Sequence, residues 1–401
     1  MDIANTMQSH PTAIKCIDMH TTGEPTRIIY SGFPQLHGTT LLDKRDDAQS
    51  RYDHIRRRLM LEPRGHSDMY GAILVPDTEL VRSGDAHIGV LFTHAGGFST
   101  MCGHATVALG RFLVDTQDRN VFPKREKMVV DSEKNEVEVR IHAPCGVVTV
   151  SVPVVGDEQE RVRSDGSRAV SFLSTPGYVA GLGIEVEIPE EVRWRALGER
   201  KSIVVDVSYG GAFYALVEAR DMGFERGLGG DETEMKALAA AARNLKRLLP
   251  THPAVLEALQ RSEDERLSFL YSVMVVDSKV GFRPDGCEGA ETGVCFFGDG
   301  DQVDRSPTGS CVTARMALAH AKGDRGLAQR WAYNSLVSNR FATGAFVGTI
   351  VDQNVSVTGF KGDHWPAVIV RVEGSAYYIG SMTFMHELGD VTSEAGFTMG
   401  I

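Results

Sequence analysis

Apolar and polar residues alternate over residues 14–20, with Ile14 and Cys16 set against Lys15 and Ile17 against Asp18, the period of a β-strand. His20-Thr21-Thr22-Gly23-Glu24-Pro25 then reads as a Gly/Pro loop, and a β pattern resumes over 26–30. Residues 41–60 are heavily charged, but Ile55, Leu59 and Leu61 keep helical spacing, which predicts a helix covering one side. The polar stretch from Pro63 to Ala72 reads as a turn leading into a strand at 73–75, with a further β run at 88–93 and a bend at Ala95-Gly96-Gly97. From Ala105 to Leu113 the chain is apolar on nearly every face, and a helix without a polar face is buried all round. Strands follow at 128–130, 137–141 and 147–152, the last two joined by Pro144-Cys145-Gly146.

The second half repeats this plan. Residues 203–206 and the run Tyr209-Gly210-Gly211-Ala212-Phe213-Tyr214-Ala215 have the strand, glycine turn and strand form of residues 18–29. A strong helix is expected at 231–249, acidic at its start, with Lys246 and Arg247 late and Pro250 beyond. A short helix at 253–260 and strands at 269–276 and 294–297 come next, and Gly298-Asp299-Gly300 leads on to Asp304. Residues 312–321 form a second small and apolar helix, and strands at 367–372 and 376–379 close the chain. The pattern is that of a diverged internal duplication, each half a set of strands curled around one buried helix.

A short motif marks the start of each buried helix. Ser99-Thr100-Met101-Cys102-Gly103-His104-Ala105 in the first half is matched by Ser306-Pro307-Thr308-Gly309-Ser310-Cys311-Val312 in the second. Setting Cys102 over Thr308 aligns Gly103 with Gly309 and His104 with Ser310.

Bulk properties narrow the function classes. The 401 residues exceed one ordinary core, which predicts two domains. Apolar content of 42% and charged content of 24% are those of a soluble globular protein. A net charge of −11 argues against nucleic acid or an anionic membrane surface as partner, and the one dense basic run, Arg56-Arg57-Arg58, reads as a solvated face. The polar residues 1–13 have no signal-peptide core and no run is long enough to span a bilayer, so a cytoplasmic enzyme is the expectation. Six cysteines without a C-x-x-C pair speak against a disulfide framework or a structural zinc site.

The chemistry sits at the two helix starts. A helix N-terminus presents unpaired N–H groups and a partial positive charge, and two of them make a socket for a carboxylate. The same field favours a thiolate, so Cys102 beside such a socket points to proton abstraction next to a carboxylate. The plainer readings are that a lone cysteine before a helix is structural and that His104 is a capping or core histidine. Cys102 and His104 match no common metal spacing, and nucleophilic acyl transfer lacks a specified third member.

Several ordered motifs together resemble the proline racemase family, which includes hydroxyproline 2-epimerases and trans-3-hydroxy-L-proline dehydratases. They are Asp18-Met19-His20-Thr21-Thr22-Gly23-Glu24-Pro25-Thr26-Arg27, Pro63-Arg64-Gly65-His66-Ser67-Asp68-Met69, Met101-Cys102-Gly103-His104, the Tyr209 to Ala215 run, and Asp304-Arg305-Ser306-Pro307-Thr308-Gly309. The resemblance spans residues 14 to about 397. It implies an α+β fold of two pseudo-symmetric domains, as in diaminopimelate epimerase, each a barrel-like sheet around a central buried helix, with the active site in the cleft between them. The expected division is 14–200, completed by strands in 370–401, and 201–369.

Racemising and epimerising relatives carry cysteine at both helix starts, whereas this chain has Cys102 and Thr308. An alkyl hydroxyl is too weak an acid to cycle as a base near neutral pH, so two-base inversion loses one partner. The resemblance therefore implies the dehydratase branch, with Cys102 and Thr308 as the catalytic pair. In trans-3-hydroxyproline the α-hydrogen shares a face with the 3-hydroxyl, so one base can take the proton and return it to the departing hydroxide. The product is Δ1-pyrroline-2-carboxylate, and no metal, flavin or pyridoxal phosphate is needed. The resemblance further implies that Gly103, His104, Gly309 and Ser310 bind the substrate, largely through helix-start amides, while Asp304 accepts a hydrogen bond from the ring nitrogen. One departure is Cys311, where relatives usually have glycine; it either packs or supplies a weak second thiol. Proline racemase or hydroxyproline epimerase activity and a non-catalytic imino-acid binding protein stay open as alternatives. The family often forms dimers, and a homodimer is compatible with the chain.

Overall fold

A computed structural model of the chain describes residues 2–156, 162–297, 302–392 and 394–399. The chain forms two compact units, Met1–Phe172 with Gly374–Ile401, and Leu173–Glu373. The sequence pattern places the division near residue 200. It falls after Phe172 instead, because strand Tyr178–Glu187 pairs with Ser202–Tyr209 and so belongs to the second unit.

In the first unit, β1 (Ile14–Thr21) and β2 (Glu24–Ser31) form an antiparallel hairpin. Its turn residues Thr22 and Gly23 both have positive φ, 54° and 81°, the two-residue turn whose twist suits a hairpin. The charged helix α1 (Leu41–Met60) starts from a Thr40–Asp43 capping box and buries Leu41, Ala48, Ile55 and Leu59. It leads to β3 (Tyr70–Val75), parallel to β2, and β4 (Ile88–His94), antiparallel to β3. β5 (Gly97–Ser99) folds back on β4 and delivers the chain to α2 (Gly103–Asp115). β6 (Glu136–Ala143) then runs parallel to β4, and β7 (Gly146–Val155) antiparallel to β6. The C-terminal strand Ala376–Phe384 pairs with β1. Helix α2 is buried from Gly103 to Val114 and touches β1, β2, β3, β6, β7 and that last strand. A sheet thus wraps an apolar helix, as its lack of a polar face requires.

The second unit has the same order of pairings. β8 (Tyr178–Glu187) pairs with β9 (Ser202–Tyr209), and β10 (Phe213–Glu218) completes the hairpin. Helix α3 (Glu232–Leu248), opened by an Asp231–Glu234 capping box, leads to β11 (Leu270–Asp277), parallel to β10. β12 (Gly289–Phe296) is antiparallel to β11, β13 (Val303–Asp304) folds back on β12, and α4 (Gly309–Ala321) follows. β14 (Arg330–Asn334) is parallel to β12 and β15 (Phe346–Thr358) antiparallel to β14. Helix α4 is buried from Gly309 to Leu318 among β8, β9, β10 and β15. The expected turn at Gly298-Asp299-Gly300 lies outside the described residues. Among the described residues no helix is long and apolar enough to cross a membrane.

One buried histidine in this scaffold carries a pH dependence. His87 Nδ1 accepts the Arg140 N–H at 3.2 Å, and the Arg140 guanidinium stands 3.2 Å from Nε2. Burial, and then that guanidinium, lowers the His87 pKa from 6.5 to about 4. In the unfolded chain His87 takes up a proton near its ordinary value, so unfolding binds a proton between those two limits. The stability from neutral His87 is full above the unfolded value and is lost as pH falls toward 4. We expect about 2–3 kcal/mol of acid destabilisation from this group. His87→Gln should narrow the gap in urea midpoint between pH 7.5 and pH 4.5. An unchanged gap would remove His87 as a cause.

Candidate active site

The first helix start follows from β5 turning into α2. Cys102 is the N-cap, in extended conformation (φ −143°), yet its side chain makes no capping hydrogen bond. Its carbonyl instead takes both the N–H and the hydroxyl of Thr106, at 2.9 and 2.8 Å. The cap is therefore fixed through its backbone, which leaves the sulfur for other work. Cys102 is 5% exposed.

His104 is placed directly beside it. Cys102 Sγ lies 3.5 Å from both Nδ1 and Nε2 of His104. Equal distances put the sulfur on the mirror line of the ring, and in the ring plane that position would overlap Cε1. The sulfur therefore rests over the imidazole face, and neither ring nitrogen points its lone pair or N–H at it. A thiol–imidazole pair for acyl transfer needs that in-plane contact, so the geometry speaks against this chemistry. His104 is buried, its ring meets Tyr70 edge-on at 4.7 Å between centroids, and its carbonyl accepts the Thr21 hydroxyl at 3.0 Å.

The second helix start is built differently. Thr308 is the N-cap of α4 at φ 59°, ψ 79°, a left-handed conformation that a β-branched residue rarely adopts. Asp304 sits on β13, opposite Cys295 on β12. Its carboxylate accepts the Ser306 N–H on Oδ1 at 2.8 Å and the Thr308 hydroxyl on Oδ2 at 2.9 Å. The Ser306 hydroxyl in turn accepts the Thr308 N–H at 3.1 Å. Ser310, one residue after Gly309, shares a 2.6 Å hydrogen bond with the Tyr214 hydroxyl. Gly210 presses against this helix start: a Cβ there would come within 2.2 Å of the Ser310 carbonyl and 2.6 Å of the Ala314 nitrogen. That close approach accounts for the glycine turn in the second half.

Two further thiols lie near Thr308. Cys311 is fully buried in α4, and burial pushes its thiol up, against a smaller opposing effect of Arg315. Cys295 is likewise buried, with its thiol pushed well up by burial and, less, by the Asp304 carboxylate, and it neighbours the Thr308 hydroxyl. Both therefore remain protonated near neutral pH, and a buried protonated thiol is a poor base.

The structure groups Cys102, Gly103 and His104 at one helix start, and Asp304, Thr308, Gly309 and Ser310 at the other. The contacts made by Tyr70, Tyr214, Ser306 and Cys295 were not expected from the chain. Tyr214 stands in the Tyr209 to Ala215 motif and Tyr70 directly follows the one ending at Met69, but Cys295 looked like any residue of an apolar strand. Among the described residues, no group of three or more His, Cys, Asp or Glu side chains is arranged to hold a metal ion. A cavity of about 530 Å³ in the second unit, lined by Leu182, Val204, Leu216 and Leu318 among others, includes none of these residues.

Comparison with known proteins adds three findings. The family model described as proline racemase matches residues 16–397. A trans-L-3-hydroxyproline dehydratase of Mus musculus is 41% identical over 381 residues, covering 94% of this chain and 92% of the mouse protein, and a trans-3-hydroxy-L-proline dehydratase of Homo sapiens is 39% identical over 383 residues, with the same coverage. Among solved structures, a hydroxyproline epimerase from Agrobacterium vitis with bound trans-4-hydroxy-L-proline has a TM-score of 0.72 at 20% identity, covering 97% of this chain and 96% of its own. At that identity the likeness speaks for the fold alone.

Proposed function

The chain belongs to the proline racemase family, and on that footing we propose that it dehydrates trans-3-hydroxy-L-proline to Δ1-pyrroline-2-carboxylate without a cofactor. The observation that carries the reading is the asymmetry of the two helix starts. One N-cap is a thiol free of capping duty, and the other is a hydroxyl whose proton is held by Asp304. The names of the mouse and human relatives support the same substrate.

In this reading Gly103, His104, Gly309 and Ser310 are substrate-binding residues, through helix-start amides suited to a carboxylate. Asp304 accepts from the ring nitrogen and keeps it charged, which makes the α-proton more acidic. The Cys102 thiolate removes that proton. As the Cα–C3 double bond forms, the C3–O bond breaks, and the thiol returns the proton to the leaving hydroxide as water. The enamine then tautomerises to the cyclic imine. Proton abstraction and return lie on one face of the ring, so a single base suffices. Inversion needs a second group that protonates the opposite face and can lose that proton again, and burial raises the Cys295 and Cys311 thiols so that they are weak acids and do not cycle to thiolate.

Incubation with trans-3-hydroxy-L-proline in D₂O tests this reading. Cyclic imine should accumulate, and recovered substrate should keep its configuration at Cα. Recovered substrate that is inverted and deuterated at Cα would replace the dehydratase reading with an epimerase.

A further inference from the structure

Asp304, Ser306 and Thr308 form a closed loop of three hydrogen bonds at the start of α4. Asp304 Oδ1 takes the Ser306 N–H, the Ser306 hydroxyl takes the Thr308 N–H, and the Thr308 hydroxyl donates to Asp304 Oδ2. All three residues are buried. The loop holds Thr308 at a φ of 59°, and a β-branched residue stays in that region only where its surroundings over-determine it. The orientation of its hydroxyl is therefore a built feature of the fold.

A hydroxyl has one proton and two lone pairs. The Thr308 proton goes to Asp304, and the buried Cys295 thiol beside it can engage at most one lone pair. One acceptor position is left for a bound molecule, and no donor. With the Asp304 carboxylate adjoining, the local field favours a positively charged donor over a substrate carboxylate oxygen. The same commitment of the proton prevents Thr308 from protonating a leaving hydroxide.

We propose that Asp304 is a positioning residue which, by taking the Thr308 proton, makes that hydroxyl an obligate acceptor for the ring N–H of an imino acid. The inference rests on the imino-acid reading above but does not require turnover. Asp304 thus acts on the substrate through Thr308 in addition to any direct contact, and the pair selects a ring ammonium over a ring of the same shape that lacks N–H.

Calorimetric binding of L-proline and of (S)-tetrahydrofuran-2-carboxylate, its ring-oxygen analogue, to the full chain tests this. Thr308→Val should weaken L-proline by about 10-fold or more and leave the oxygen analogue unchanged, which also shows that the variant is folded. Thr308→Ser keeps the acceptor and should bind L-proline much as the native protein does. In Asp304→Asn the side-chain amide can donate to Thr308 and turn its proton outward. The loss of L-proline affinity from Asp304→Asn should then be smaller in the Thr308→Val background than in the native one. Equal weakening of both ligands by Thr308→Val, or the same fold-loss from Asp304→Asn in both backgrounds, overturns the proposal while leaving the dehydratase reading intact. Failure of the native protein to bind L-proline overturns the proposal, and failure to bind trans-3-hydroxy-L-proline as well overturns the dehydratase reading on which it rests.

Discussion

Replacing Cys102 by serine is expected to lower kcat for dehydration of trans-3-hydroxy-L-proline by about 10²–10⁴-fold, the usual share of a positioned general base. Serine preserves the shape of the side chain but is far too weak an acid to supply an anion near neutral pH. Its effect on stability should run the other way. Cys102 makes no side-chain cap to α2, whereas serine is among the preferred N-cap residues and can accept from the N2 or N3 amide. The variant should therefore melt at or above the native temperature while losing activity. Product formation followed by the imine, with a thermal melt on the same sample, reads both. Activity within a few-fold of native would remove Cys102 as the base, and a large drop in melting temperature would show that its role is structural.

The second large effect is on stability and lies in the hairpin of the first unit. Asp18 and Arg27 face each other across β1 and β2. The guanidinium forks onto the carboxylate, Nε to Oδ1 at 3.0 Å and Nη2 to Oδ2 at 2.8 Å, with both side chains about 5% exposed. Nη1 donates to the Leu59 and Arg64 carbonyls, and the guanidinium lies 4.4 Å from the centre of the Phe384 ring. One side chain thus ties the hairpin to the end of α1, to the polar loop after it and to the C-terminal strand. Arg27→Met removes all of these contacts and leaves a buried carboxylate unpaired, so a loss of about 3–5 kcal/mol is expected in urea unfolding. Adding Asp18→Asn to the same chain should restore part of that loss, because the stranded charge is gone. A cost below about 1 kcal/mol for Arg27→Met would place the pair with weak surface ion pairs. The two ends of the Asp18 to Arg27 motif thus serve as scaffold, while Thr21 within it reaches the His104 carbonyl.

Much of the fold was legible because local patterns were strong. The all-apolar stretch at 105–113 became the buried helix α2, and the acidic start of 231–249 became an Asp231-capped helix. Other elements carried weak signals. Strand β8 contains Gly181 and Gly183 and shifts register around them, and β15 bulges near Asp352, so neither keeps a clean period of two. Missing β8 is what put the expected domain division near residue 200. The short helix Leu336–Phe341 depends on a Ser335 cap that no run of apolar spacing announces.

For the site, the sequence by itself determined which chemical groups stand at the two helix starts. A thiol at 102 and a hydroxyl at 308 are matters of residue identity, and a helix start is specified by a few neighbouring residues. These groups point to proton abstraction next to a carboxylate, and the resemblance to the proline racemase family implies that it is one-sided. Only the tertiary structure decided how those groups are presented. It set the Cys102 sulfur over the face of His104, and it buried Cys295 and Cys311 so that their thiols stay protonated. It also turned the Thr308 proton onto Asp304. Burial depends on residues distant in the chain. The direction of a hydrogen bond depends on backbone angles, here a left-handed threonine, that no residue pattern encodes.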